Sequence, residues 1–328
     1  MRWSIDFPIS QSSFPIAHES KTLSLGSCFA QTIGQKMRDS KFDILVNPFG
    51  TIFHPLNLAD LLSQSLDLSP IDKRGILKRD DRFFHYQCHS DINGKSQEEL
   101  IANFETQQRA THEYLKSGSH LILTLGTSWL YELDAFGRVA NCHKQPQKIF
   151  QKRLSSLEEM EQGLSLALQS AKRQNPALNV VLTVSPVRHI KDGVAENQLS
   201  KSLLRVLCAN LERQLDFVVY FPAYEIMMDE LRDYRFYKSD LIHPTEEAEN
   251  YIWLKWQKSF FSEITRQKVE EIRKIQLELL HRPMDPSSAS HKIFLQNLLA
   301  KLERLNTEFD FSEEIKAVSK KINPPSPV

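Results

Sequence analysis

The sequence predicts an α/β fold, three layers with one parallel sheet between helices, carrying a C-terminal helical extension. Three observations lead there. Short apolar runs alternate with helical runs from Leu23 to Phe260, the pattern of strand–helix–strand units. Several strand-like runs are continuously apolar, as strands buried on both faces are. After Ser262 only helical periodicity remains.

Lys21 to Leu25 reads as a buried strand ended by Gly26-Ser27-Cys28, and a helical run follows to about Ser40. Phe42 to Val46 is the second strand, Asn47 to Thr51 a turn by composition, and Leu56 to Ser65 a short helix. Arg82 to His89 fits a peripheral strand. Gln97 to Lys116 is a helix whose end is marked by Ser117-Gly118. His120 to Leu125 is the third sheet strand, closed by Gly126-Thr127-Ser128. Trp129 to Asn141 has a hairpin's turn residues at its centre. Ser155 to Arg173 is helix and Asn179 to Val184 strand. Glu196 to Leu215 is a helix with Leu204, Leu207, Leu211 and Leu215 on one stripe. Phe217 to Tyr220 is the last strand, and Pro222 opens a helix. Asp240 to His243 is a loop, and Pro244 is expected in the first turn of a helix reaching about Phe260. Beyond it, Ile272, Ile275 and Leu279 form one stripe; Leu295, Leu298, Leu302 and Leu305 form another. The break between them is His281 to Pro286. The expected organisation is an α/β domain over residues 1–262, a helical extension packed on it over 263–322, and a disordered proline-rich tail over 323–328.

Composition narrows the function classes. Lys+Arg and Asp+Glu both number 41, which removes the electrostatic footprint of a nucleic-acid or polybasic membrane partner. The longest mostly apolar stretch, Leu121 to Tyr131, is too short to span a bilayer. No apolar secretory core follows Met1. Cys28, Cys88, Cys142 and Cys208 are scattered, which fits a reducing, cytoplasmic setting. Glycines number only ten in 328 residues, so Gly26, Gly50 and Gly126, each just past a strand, carry weight.

In an open parallel sheet, ligands bind beyond the carboxyl ends of the strands. Gly26-Ser27-Cys28, Gly126-Thr127-Ser128 and Thr183-Val184-Ser185 reach that edge, and Asp240 to His243 precedes the last helix of the sheet region. Together they supply a nucleophile, oxyanion donors and an acid–histidine pair, the set that acyl transfer needs. Arg188 and His189 follow the fourth strand. Arg188 can clamp a carboxylate or phosphate, or pair with an acid such as Asp192.

Leu25-Gly-Ser-Cys-Phe-Ala30 resembles the signature of the GSCFA-domain proteins, a family placed with the SGNH (GDSL-like) hydrolases. Asn47 to Pro55, Leu125 to Trp129, Val139 to Lys144, Thr183 to His189, Asp233 to Tyr237 and Asp240 to Pro244 resemble its other blocks. His281-Arg-Pro283 fits it in the tail, so the likeness covers nearly the whole chain.

The resemblance implies an SGNH/flavodoxin-like sheet of strand order 2-1-3-4-5 and hydrolysis or transfer of an ester-linked acyl group, such as a carbohydrate acetyl ester. Aligned on Gly26, Cys28 takes the place of the SGNH serine as nucleophile; a register offset by one gives Ser27 the role. A thiol at a helix N-terminus beside a histidine is expected to have its pKa lowered. His243 would be the general base and Asp240 its orienting acid. The Cys28 and Gly50 amides would receive the oxyanion. Where those enzymes keep a third donor, an asparagine, this chain has Thr127 and Ser128. The Ser128 hydroxyl can substitute, or Asn47 can donate. The rival from another class is a binding module that keeps the cleft without turnover.

Cys142 and His143 read as packing for the hairpin or as a second reactive pair. Alternation puts His85 and His89 on one strand face with Cys88 opposite, and no second ligand pair has recognisable spacing, so no metal and no cofactor is expected. The runs Arg82 to Tyr86 and Tyr234 to Tyr237 read as core or cleft wall. The nearly neutral tail suits a packing layer or the face of a homodimer.

Overall fold

Thr22–Gly26 (β1) is followed by Cys28–Asp39 (α1), Ile44–Val46 (β2) and Pro55–Leu66 (α2). A hairpin, Ile76–Arg79 (β3) and Arg82–His85 (β4), leads to Gln97–Ser117 (α3) and His120–Leu125 (β5). Trp129–Leu133 (β6), Gly137–Val139 (β7) and Gln151–Leu154 (β8) precede Leu157–Gln174 (α4), Asn179–Val184 (β9), Val194–Gln214 (α5) and Val218–Phe221 (β10). One turn of helix, Ala223–Glu225 (α6), widens into a π-helical turn at Ile226–Glu230. Glu246–Phe260 (α7), Glu263–Leu279 (α8), Ala289–Leu305 (α9) and Ser312–Ile322 (α10) complete the order. The computed structural model describes residues 7–286 and 288–323. Apart from Asn323, the tail expected to be disordered lies outside the described residues.

The five-stranded parallel sheet runs β10-β9-β5-β1-β2, the 2-1-3-4-5 order expected. Alternation sorts its side chains. Leu23, Leu25, Leu121, Leu123, Leu125, Val180 and Leu182 join the cluster under α2 to α5. Ile44, Val46, Ile122, Val181 and Phe221 join the one under α1 and α7. Both faces are therefore covered, giving three layers. Trp256 is 1% exposed and meets the Phe221 ring edge-on at 5.0 Å, a pair worth about 0.5–1.5 kcal/mol beyond its buried area.

Two strands escaped the sequence reading. β3 pairs antiparallel with β4, and β8 pairs with β6 beside the expected β6–β7 hairpin. Only residues 82–85 of the expected 82–89 run are strand. Pro244 is not in the first turn of α7. Thr245 caps that helix through the Ala248 amide, and Pro244 forms a bridge with Tyr237. The last three helices share a core of Ile272, Ile275, Leu295, Leu298, Leu302 and Phe311. Lys41, at φ +64°, holds them to the sheet domain. Its ammonium reaches Glu314 and the Asp310 carbonyl, each at 2.7 Å, and lies 4.3 Å from the Phe311 ring centre. Among the described residues no helix is long and apolar enough to cross a membrane.

Candidate active site

Strand order reverses between β1 and β5, so the crevice forms where Gly26 and Gly126 leave their strands. Gly26 has φ +140°, and a Cβ there would sit 2.2 Å from the Thr124 carbonyl oxygen. Glycine therefore lets the end of β1 lie against β5. The Ser27 amide donates to that same oxygen at 3.0 Å. The Ser27 hydroxyl is fully buried and accepts from the Phe29 amide, capping α1. Cys28, the first residue of α1, is partly exposed. Its thiol departs from the expected lowering: burial pushes its pKa up, opposed only by its own amide. Desolvation outweighs that amide's hydrogen bond, and no nearby charge contributes to the shift.

Asn47, just past β2 and at φ +44°, reaches the end of β1. Its Oδ1 accepts from the Gly26 amide at 2.9 Å, while its Nδ2 is buried without a partner. The Gly50 amide donates to the Asn47 carbonyl at 2.7 Å, so it closes a turn. Gly50 also has φ +73°, and its Cβ would strike the His89 side chain at 2.2 Å. Ser128 is fully buried and faces α5: its amide donates to Ser200 Oγ at 2.7 Å and its hydroxyl to the Ser200 carbonyl at 2.9 Å. Thr127 Oγ1 meets Ser200 Oγ at 3.2 Å and accepts from the Trp129 amide.

The Asp240–His243 loop is built around one carboxylate. Asp240 Oδ1 accepts the amides of Ile242 and His243 at 2.9 and 3.0 Å, and Oδ2 lies 2.7 Å from His243 Nδ1. These bonds hold the Asp240 carboxyl well below the usual carboxylate range. A proton on Nδ1 is thereby favoured, which leaves Nε2 able to accept one. Both side chains are about two-fifths exposed. Among the described residues, the Cys28 sulfur and the His243 ring share no hydrogen bond.

Arg188 braces that loop. Its amide donates to the Ile242 carbonyl at 3.2 Å and its Nη1 to the Leu241 carbonyl at 3.3 Å. Its guanidinium lies 3.9 Å from the Tyr237 ring centre. Asp192, the acid expected beside Arg188, pairs instead with Lys152. His189 packs its ring against Phe53, centroids 5.1 Å apart, and its Nε2 is buried without a partner. Burial, then the Lys201 and His243 charges, push its pKa down to about 3.

The sequence reading missed Lys201. It is 1% exposed and donates to the Gly126 and Ser185 carbonyls, both at 2.8 Å. It thus ties the carboxyl ends of β5 and β9 together beneath the crevice. The signal available was its place on the buried face of α5, three residues before Leu204. Burial pushes its pKa down to about 7, against an ordinary 10.5. Between those values the unfolded chain binds more protons than the folded one, so stability rises with pH there, by up to about 1.4 kcal/mol per unit. Lys201→Met should flatten that rise. Urea midpoints at pH 7.5 and 9.5 check it; an equal gain in both proteins rules out Lys201 as the source.

Cys142 lines the small cluster of Tyr86, Val139 and Phe150. His143 is buried, with Nε2 2.8 Å from the His85 carbonyl and Nδ1 3.0 Å from Ser90 Oγ. His85 Nε2 meets the Asp72 carbonyl at 2.9 Å, and His89 faces Asp91. Among the described residues no cluster of three or more His, Cys, Asp or Glu side chains is placed to hold a metal ion.

Against protein-family models, residues 21–256 match the GSCFA family. The chain belongs to the GSCFA family. Residues 272–324 match the C-terminal domain of GSCFA domain proteins, so the family likeness runs from the second half of α8 through α10. No curated protein and no solved structure matches the chain. Within this GSCFA chain, Ser27, Cys28 and Asn47 gather at the end of β1, and Arg188, His189, Asp240 and His243 gather beyond β9. The Gly50 amide and the Ser128 hydroxyl, expected as oxyanion donors, are committed to other partners.

Proposed function

We propose that this GSCFA protein is an SGNH-like hydrolase or acyltransferase for an ester-linked acyl group, such as a carbohydrate acetyl ester. The Asp240–His243 pair supports it most: an ionised carboxylate fixed by two amides orients an imidazole on the sheet's carboxyl edge. In this reading the Cys28 sulfur attacks the carbonyl carbon and His243 Nε2 takes the thiol proton. The ring returns the proton to the leaving alcohol oxygen. It then deprotonates a water that releases the acyl group as a carboxylic acid and restores the thiol. Ser27, buried and engaged as a cap, holds the helix that presents the thiol. The oxyanion is received by the Cys28 amide, which as a first-turn donor has no intrahelical partner, and by the unpartnered Asn47 Nδ2. Catalytic hydrogen bonds are often loose without substrate, and here the ring must close on the sulfur.

Two observations favour a second reading, a small-molecule or carbohydrate binding module that keeps the cleft: the raised thiol pKa and the missing sulfur–imidazole bond. A screen on short acyl esters and acetylated sugars, with mass analysis for acyl-Cys28, separates the two. Turnover with an adduct supports the hydrolase; neither one, with ligand binding retained, favours the module. Asn47→Asp keeps the acceptor for the Gly26 amide and removes the Nδ2 donor. It should lower kcat about 10²–10³-fold with little change in KM. An unchanged kcat removes Asn47 from the oxyanion site.

A further inference from the structure

A cavity of about 140 Å³ lies beside the Asp240–His243 loop, reached through Arg188 and Tyr237 in its wall. Arg188, Tyr234 and Tyr237 form one wall, and Met227, Met228 and Leu231 another. Two of those wall residues hold the loop itself. Arg188 bonds to Leu241 and Ile242, and Tyr237 bridges Pro244. The methionines come from the π-helical turn, a form frequent at functional sites.

The charge balance of this cavity is uneven. Several other arginines of the sheet domain are matched: Arg138 pairs with Asp60, Arg153 with Glu132 and Glu159, Arg205 with Glu225. Arg188 has five N–H groups; its guanidinium contacts are the 3.3 Å bond to the Leu241 carbonyl, a hydrogen bond to the Tyr237 hydroxyl and the two tyrosine rings, and no carboxylate among the described residues pairs with it. Stacking on Tyr237 covers a face of the guanidinium and leaves its donors at the rim of the stack. At the mouth, Arg232 is paired with Asp229, and Asp233 accepts the Arg235 amide. Counting Arg188, the Arg232–Asp229 pair and Asp233, the surroundings suit no dianion. Tyr234, 67% exposed, offers a second ring 5.5 Å from the guanidinium.

We infer that this cavity is a recognition subsite for a carboxylate borne on a flat or apolar body, with Arg188 as the clamp and Tyr234 as the stacking surface. Calling the carrier of that carboxylate a substrate rests on the hydrolase reading; the ligand chemistry rests on the cavity. A single unpaired guanidinium matches a carboxylate in a two-bond fork, and the methionines and Leu231 match the apolar remainder. Esters carrying such a group on their alcohol or acyl part would be preferred over neutral ones.

The test is binding by the full chain, followed by ligand-observed NMR, with benzoate, neutral benzamide and dianionic phenyl phosphate as probes. Benzoate should bind about tenfold or more tighter than either of the others. Arg188→Gln should abolish that preference and leave benzamide unchanged; Tyr234→Ala should weaken benzoate and benzamide alike by several-fold. Arg188 also braces Leu241, so thermal melts accompany the variants. If Arg188→Gln does not fold, Arg188→Lys takes its place and should lose most of the preference by losing the fork. Equal binding of benzoate and benzamide, or a preference that survives at Arg188→Gln or Arg188→Lys, overturns the subsite. Tighter phenyl phosphate overturns the carboxylate assignment. Cys28→Ala should bind benzoate as the unaltered chain does. A protein that turns over no ester but keeps the preference therefore rejects the hydrolase and retains the subsite.

Discussion

Cys28→Ala is expected to lower kcat for ester hydrolysis by at least about 10³-fold while the protein stays folded. The side chain is only partly buried and opens a helix, where alanine is well tolerated. His243→Ala should cost about 10²–10⁴-fold, and the double variant little more than Cys28→Ala, because the two groups act as one unit. The raised thiol pKa sets a second signature. The folded protein holds a protonated thiol at neutral pH, so alkylation of Cys28 by iodoacetamide should speed up as pH rises beyond the ordinary thiol range. A rate already maximal at pH 6 indicates a preformed thiolate and contradicts this geometry. Retained hydrolysis in both single variants removes the mechanism.

Gly26→Ala should leave little folded protein, a loss of about 4 kcal/mol or more. The added Cβ meets the Thr124 carbonyl oxygen at 2.2 Å and the Thr124 amide nitrogen at 2.8 Å. These are backbone atoms locked in the β1–β5 ladder, so they cannot turn aside. Gly137→Ala is the matched control. Its φ is +107° but nothing lies within 4 Å of the new Cβ, so it carries backbone strain alone, roughly 1–2 kcal/mol. Urea unfolding of the two variants separates contact from strain. Similar losses at both positions mean the close approach of β1 to β5 is wrong.

The sheet was legible because its three inner strands are buried on both faces and its two edge strands, though half-covered, are still apolar runs. β3 and β8 were not. Ile76–Arg79 and Gln151–Leu154 are short, half-exposed and rich in Lys and Arg, and they are strands because β4 and β6 lie beside them. Within the candidate site, motif position located Asp240 and His243 but could not show which donors were free. Motif position puts Gly50 and Ser128 ahead of Asn47 as donors, yet their groups are bonded elsewhere and the Asn47 Nδ2 is not. Lys201 hid in an amphipathic helix, where a lysine ordinarily reads as solvent-facing. The Cys28 pKa went the other way because a helix terminus is visible in a sequence and desolvation is not.

The place of β1 in the middle of the sheet has a consequence for synthesis. This strand leaves the ribosome first among the five, yet the neighbour that flanks it toward β9 begins at His120. At about 5–20 residues per second, roughly 5–20 s separate the two. During that interval the nascent chain holds Leu23 and Leu25 beside an open hydrogen-bonding edge. That stage, well before any cleft exists, is where chaperone capture or misassembly will concentrate.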